Sequence, residues 1–264
     1  MPDPAAACPF GEVAGDPAAP GIVFVHGTRM AAAYWHVQME VLGQRFRVVA
    51  VDLPGHGRRR TTPFSHREAL ETIARGISLC DRGTAVVVGH SLGGYLTVDL
   101  AAETPERCRG LVLAGCTADA RGMRTWPYRL VARLVRLIPE ERLTRWNDLL
   151  LRRRYPPNVI GPQIRAGYGF AAVPASWRAV YGRDHAKALS AYPGPVLFIN
   201  GAHDRLFRSG ERRFLRACPR ARLRILPGAS HLSSLDRPGE FSAAVREFAE
   251  RAYGFGAVSS DGTG

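Results

Sequence analysis

Apolar residues in this chain gather in short unbroken runs. The runs are Ile22-Val23-Phe24-Val25, Val48-Val49-Ala50-Val51, Ala85-Val86-Val87-Val88, Leu111-Val112-Leu113-Ala114 and Val196-Leu197-Phe198-Ile199. A run with no polar break suits a strand covered on both faces, and such strands belong to mainly parallel sheets. Arg222-Leu223-Arg224-Ile225-Leu226 alternates instead, as a strand near a sheet edge does. Stretches with helical spacing lie between the runs, at about 31–44, 66–80, 95–103, 210–217 and 238–252. Strand and helix in alternation predict an α/β fold: a mainly parallel sheet flanked by helices, joined by right-handed crossovers.

The alternation breaks once, between Ala114 and Val196, over a stretch far longer than an ordinary loop. Trp126-Pro127 opens an amphipathic helix with Leu130, Leu134, Leu137 and Ile138 on one face, Arg129, Arg133 and Arg136 on its flank, and Pro139 at its end. A second helix is predicted over 140–153, stopped by Pro156-Pro157, and a third within 176–191. The expected organisation is a core from 1–115 and 192–253, an inserted helical lid over 116–191, and a flexible, glycine-rich tail at 254–264.

Composition narrows the setting. The five cysteines, Cys8, Cys80, Cys108, Cys116 and Cys218, are scattered and have no C-x-x-C spacing, so buried thiols are expected in place of a disulfide or zinc framework. No stretch is long and apolar enough to span a bilayer, and the first residues lack the basic and apolar regions of a secretory signal, so a cytoplasmic protein without stable membrane insertion is expected. Net charge is +13 and Lys187 is the one lysine. Arginines this dispersed, with no nucleic-acid-binding module among them, suit a solvated surface better than a nucleic-acid footprint.

The chemistry centres on Gly89-His90-Ser91-Leu92-Gly93, which joins the strand run ending at Val88 to a helical stretch. A serine between glycines at a strand-to-helix turn is the nucleophile-elbow pattern. Serine needs a base to take its proton, and histidine is the side chain whose titration range suits that exchange.

In the order His26-Gly27, Asp52-Leu53-Pro54-Gly55-His56-Gly57, the Ser91 elbow, Asn200-Gly201-Ala202-His203-Asp204-Arg205 and Gly228-Ala229-Ser230-His231, the chain resembles the α/β-hydrolase superfamily over nearly its whole length. The resemblance implies a triad of Ser91, Asp204 and His231, with the lid inserted between nucleophile and acid. It also implies oxyanion donors at the backbone N–H groups of Leu92 and Thr28, with Arg29 as a fallback. Asp119, after the fourth run, is the rival acid; His90 and His203 are rival bases more suited to shaping turns; His26 reads as a structural hydrogen bonder.

Serine at the elbow argues against the aspartate-dependent epoxide hydrolases and dehalogenases of this fold. The expected activity is hydrolysis of a small or medium-sized apolar ester, thioester or lactone through an acyl-enzyme, without cofactor or metal. Carbon–carbon bond hydrolysis, acyl transfer or cyclisation, and a ligand-binding scaffold without turnover stay open. The partner is a small acyl substrate, and oligomeric state is left undetermined. Leu130, Leu134, Trp146, Leu149, Leu150, Tyr168, Phe170 and Trp177 could roof the site, while Arg29 and the lid arginines could hold a substrate carboxylate or phosphate.

Overall fold

The computed structural model describes residues 8–121, 130, 134, 135 and 137–255. Seven strands form one sheet in the order β1-β3-β2-β4-β5-β6-β7. They are β1 (Gly11–Ala14), β2 (Gly21–Val25), β3 (Arg47–Val51), β4 (Ala85–His90), β5 (Cys108–Ala114), β6 (Val196–Gly201) and β7 (Arg222–Leu226). β1 is antiparallel to β3, and every other neighbouring pair is parallel.

The unbroken runs are the strands buried on both faces. Along β2, Ile22 and Phe24 face a core that includes Trp35, Phe241, Val245 and Phe248. Val23 and Val25 face the opposite core, with Ile73, Leu96 and Phe214. Helices His36–Leu42 and Pro238–Ala252 cover the first face; helices His66–Ser78, Leu92–Glu103 and Glu211–Ala217 cover the second. Helix His66–Ser78 starts where Ser65 Oγ accepts a bond from Glu68 N–H at 3.1 Å, an S-x-x-E start signal. β7 lies at the edge, with three exposed residues at its start.

The sequence pattern omits β1, because Gly11-Glu12-Val13-Ala14 has no apolar run; as an edge strand it needs cover from one neighbour only. The helix expected over 31–44 is a 3-10 turn, Ala32–Trp35, followed by helix His36–Leu42. The elbow helix begins at Leu92, before the predicted 95, since Gly93 and Gly94 dilute the helical signal.

Between β5 and β6 the described residues include helices Glu140–Arg154, Pro157–Ala166, Val173–Val180 and His185–Ser190. Helix Pro157–Ala166 is a correction: Pro157 opens a helix at its first position, where its missing N–H costs nothing, as well as stopping the preceding one. The single helix expected within 176–191 is two, divided at Gly182 (φ 81) and restarted by Asp184, whose Oδ1 accepts from Lys187 N–H at 3.0 Å. Most of the helix predicted from Trp126, and the tail from 256 onward, lie outside the described residues.

All five cysteines are buried and free. Burial raises their thiol pKa values, to about 12 at Cys80 and Cys108. No helix among the described residues is long and apolar enough to cross a membrane.

Candidate active site

β4 delivers Ser91 to the carboxyl end of the sheet, with backbone angles φ 52 and ψ −117. This left-handed geometry is costly for a residue with a side chain. The turn closes because its glycines leave room: a Cβ at Gly93 would strike the Val25 carbonyl oxygen, and one at Gly89 would strike the backbone of Gly93 and Gly94. Ser91 N–H donates to the Ala114 carbonyl at 2.8 Å, tying the elbow to β5.

Ser91 Oγ–H donates to His231 Nε2 at 3.1 Å, and His231 Nδ1–H donates to Asp204 Oδ2 at 2.8 Å. Asp204 follows β6 and is buried; its Oδ1 accepts from Phe207 N–H at 3.4 Å. The Phe207 ring stacks on His231, centroids 4.0 Å apart and planes 20° apart. Gly115 (φ 58) passes under the imidazole, where a Cβ would sit 3.1 Å from His231 Nδ1. Three residues from three strand ends thus form one hydrogen-bonded chain, an arrangement in which an imidazole can take a proton from a hydroxyl.

Three buried histidines around the site, His26, His56 and His90, are held neutral. Burial lowers His26 to about 4 and His56 to about 3. Burial, with the neighbouring His231 charge, lowers His90 to about 3. His26 bridges the loops, donating through Nδ1–H to the Gly27 carbonyl (2.8 Å) and accepting from Leu53 N–H at Nε2 (3.1 Å). His90 Nε2–H donates to the His231 carbonyl at 2.9 Å, so it positions the histidine loop. His203 is exposed and outside the hydrogen-bonded chain.

His56 Nε2 accepts from Arg29 N–H at 3.2 Å, which engages the fallback donor. Thr28 and Leu92 both line the cavity: Thr28 lies in the loop after β2, and Leu92 is the first residue of the elbow helix, where a backbone N–H has no intrahelical partner. Thr28 Oγ1 accepts from Trp177 Nε1–H at 3.0 Å, linking this loop to helix Val173–Val180.

Ser91 and His231 line a cavity of about 300 Å3 together with Thr28, Arg29, Phe170 and Trp177. Asp119 also lines it, yet its carboxylate turns to Arg121 Nε (2.9 Å) and Arg213 (3.0 Å), and those bonds hold it below the usual carboxylate range. Six predicted roof residues lie outside the cavity wall, among them Tyr168, whose O–H donates to Asp148 Oδ1 at 2.6 Å. Trp146 is 64% exposed, because helix Glu140–Arg154 packs through Leu143, Asn147 and Leu151 and leaves Trp146, Leu149 and Leu150 on another face. Leu130 and Leu134 are also exposed, and Val135, beside Leu134, is in the cavity wall.

Two contributors escape the sequence pattern, Phe207 and Asp236, while His56, read there only as part of the Asp52–Gly57 motif, takes the Arg29 N–H. Asp236 Oδ2 accepts from Ser230 N–H and Ser230 Oγ–H, each at 2.7 Å, and its Oδ1 accepts from Tyr155 O–H at 2.8 Å. It pins the loop before His231 to the segment between β5 and β6. The one sequence signal for Phe207 and Asp236 is closeness to Asp204 and His231 along the chain.

Fold and site define a hydrolytic enzyme built on a mainly parallel sheet with its chemistry at the strand ends. The sequence profile of the alpha/beta hydrolase family matches residues 22–244, and the chain belongs to that family. It is 30% identical over 239 residues to the pimeloyl-[acyl-carrier protein] methyl ester esterase of Nitrosomonas europaea, covering 84% of this chain and 92% of that protein. A thermophilic esterase from Thermogutta terrifontis shares the fold with a TM-score of 0.73 at 23% identity, covering 92% of this chain and 93% of that one. E-2-(acetamidomethylene)succinate hydrolase does so at 0.75 and 23%, covering 90% and 93%.

Proposed function

We propose that the protein hydrolyses a small carboxylic ester through an acyl-enzyme formed on Ser91. The observation that carries this reading is the relay of Ser91, His231 and Asp204 at the wall of an otherwise mainly apolar cavity. Ser91 Oγ attacks the ester carbonyl carbon as its proton passes to His231 Nε2. The carbonyl oxygen becomes an oxyanion and accepts bonds from Thr28 N–H and Leu92 N–H, each such donor contributing about 3 kcal/mol to the barrier reduction. The intermediate collapses, the C–O bond to the alcohol breaks, and the alkoxide takes the proton from His231. Water then attacks the acyl carbon, gives its proton to His231 Nε2, and the acid leaves as Ser91 Oγ regains a proton. Asp204 keeps Nδ1 protonated and stabilises the imidazolium.

In this proposal the segment 116–191 serves as a lid over a core of 1–115 and 192–253, and Phe170, Trp177 and Arg29 contact the substrate. The hydrogen bond from Trp177 to Thr28 supports a lid that touches the oxyanion loop. The esterase name of the Nitrosomonas relative supports ester cleavage over carbon–carbon cleavage or transfer.

The test is Ser91→Ala against the native enzyme. Labelling by a fluorophosphonate probe and turnover of short-chain p-nitrophenyl esters should both disappear. Labelling that survives the substitution would remove Ser91 from the mechanism.

A further inference from the structure

One charged side chain in the cavity wall has no part in the acyl chemistry. Arg29 follows Thr28 in the loop after β2 and lines the cavity. Its backbone is left-handed, φ 64. A residue with a Cβ costs on the order of 1 kcal/mol there, and glycine is the relaxed choice. The loop holds this shape from both sides: His56 takes Arg29 N–H, and Gly169 N–H donates to the Arg29 carbonyl at 3.1 Å. A long cation therefore sits where the backbone favours no side chain at all.

Among the described residues the guanidinium also has no ion-pair partner. Other arginines near the site are engaged: Arg121 and Arg213 by Asp119, Arg154 by Asp236, and Arg208 by Glu211. Among the described residues no carboxylate lies within ion-pair range of the Arg29 guanidinium, and no acceptor takes a bond from it. The other charged group of the cavity wall, Asp119, is already held by two arginines. Burial pushes Arg29 below its ordinary value, and the Tyr168 phenol acts against that shift. Arg29 is half-buried; a cation partly withdrawn from water without a partner is unfavourable, and an anion arriving with a ligand offsets that cost.

We propose that the substrate is an anionic ester whose carboxylate or phosphate pairs with Arg29 while its ester carbonyl lies over Ser91. This assignment rests on the ester-hydrolase reading and names its substrate class. The planar guanidinium fork matches either anion with two parallel N–H···O bonds. A cavity of about 300 Å3 suits a short half-ester of a dicarboxylic acid.

The experiment measures kcat/KM for monomethyl esters of short dicarboxylic acids, the matching dimethyl esters, and methyl esters of phosphonoalkanoic acids of equal length. It uses the native enzyme, Arg29→Met and Arg29→Lys, with Arg29→Gly as a variant that relaxes the loop. The readout is the ratio of anionic to neutral ester within each enzyme. The native ratio should be about tenfold or more, the difference expected of a charge-assisted bond. It should fall to about one or below in Arg29→Met and Arg29→Gly, and recover in part in Arg29→Lys. Preference for the carboxylate or the phosphonate series identifies the anion. A native enzyme that prefers the diesters, or a ratio unmoved by Arg29→Met and Arg29→Gly, overturns the assignment. Ser91-dependent turnover with an unmoved ratio defeats the role of Arg29 alone, whereas turnover independent of Ser91 defeats the ester-hydrolase reading beneath it.

Discussion

Replacing Asp204 by asparagine tests the relay at its least obvious member. Asp204 Oδ1 accepts from Phe207 N–H at 3.4 Å, and Oδ2 accepts from His231 Nδ1–H at 2.8 Å. An asparagine amide has one acceptor and one donor end. Its oxygen belongs toward Phe207 N–H, because the NH2 group there would meet another donor. The NH2 then faces His231 Nδ1 and forces that nitrogen to accept. The ring proton moves to Nε2, which now points N–H at Ser91 Oγ and cannot take its proton. A buried acid–base relay with the wrong tautomer loses about 10^4 in kcat, equal to about 5.5 kcal/mol of barrier. The assay is steady-state hydrolysis of a p-nitrophenyl ester over a range of pH, with Asp119→Asn measured alongside. Asp119 is satisfied by Arg121 and Arg213 and is not bonded to His231, so its substitution should cost less than tenfold. Activity within tenfold of native in Asp204→Asn, with the large loss in Asp119→Asn, would refute the reasoning and move the acid to the end of β5.

Two further outcomes follow from the packing. Gly93→Ala forces a Cβ into the Val25 carbonyl in the sheet, and should cost more than about 3 kcal/mol in urea unfolding or prevent folding, while Gly239→Ala, with open space around it, should stay within about 0.5 kcal/mol. Asp99 on the elbow helix joins His66 Nε2 (2.8 Å), His185 Nε2 (3.7 Å) and Arg183 (3.8 Å). Burial alone would raise its pKa, but His185 and His66 outweigh burial and hold the carboxyl at about 2. A folded-state value below the unfolded one gives stability that is complete above about pH 4 and lost as pH falls toward 2. Asp99→Asn should therefore cost ~2 kcal/mol at pH 6, a gap that closes across that window in denaturant titrations.

The doubly buried strands and the elbow were legible because their signals are local. A run such as Ala85–Val88 with no polar break has few other homes, and Gly-x-Ser-x-Gly marks a turn whose glycines are required by contacts with the neighbouring strand. Motif order pointed to Asp204 and His231, which the fold brings within hydrogen-bond reach of one another and of Ser91. β1 was not, because an edge strand pairing on one side needs no apolar run. The cavity roof was read only in part. Phe170 and Trp177 line it, but Trp146 does not, since helix Glu140–Arg154 turns its Leu143 and Leu151 stripe inward and the order of residues gives no sign of which stripe wins. Arg29 shows the same limit differently. Its residue type suggested an anion, but its left-handed backbone and the capture of its N–H by His56 are tertiary facts.

The five sealed thiols make the chain its own gauge of opening. An alkylating reagent reacts with thiolate, and at neutral pH burial leaves almost none of it at Cys80 or Cys108, so neither is consumed until its surroundings part. Because Cys8 adjoins the first strand, Cys116 touches the elbow helix at Gly94, and Cys218 closes helix Glu211–Ala217, the sequence in which they react would trace which layer separates first.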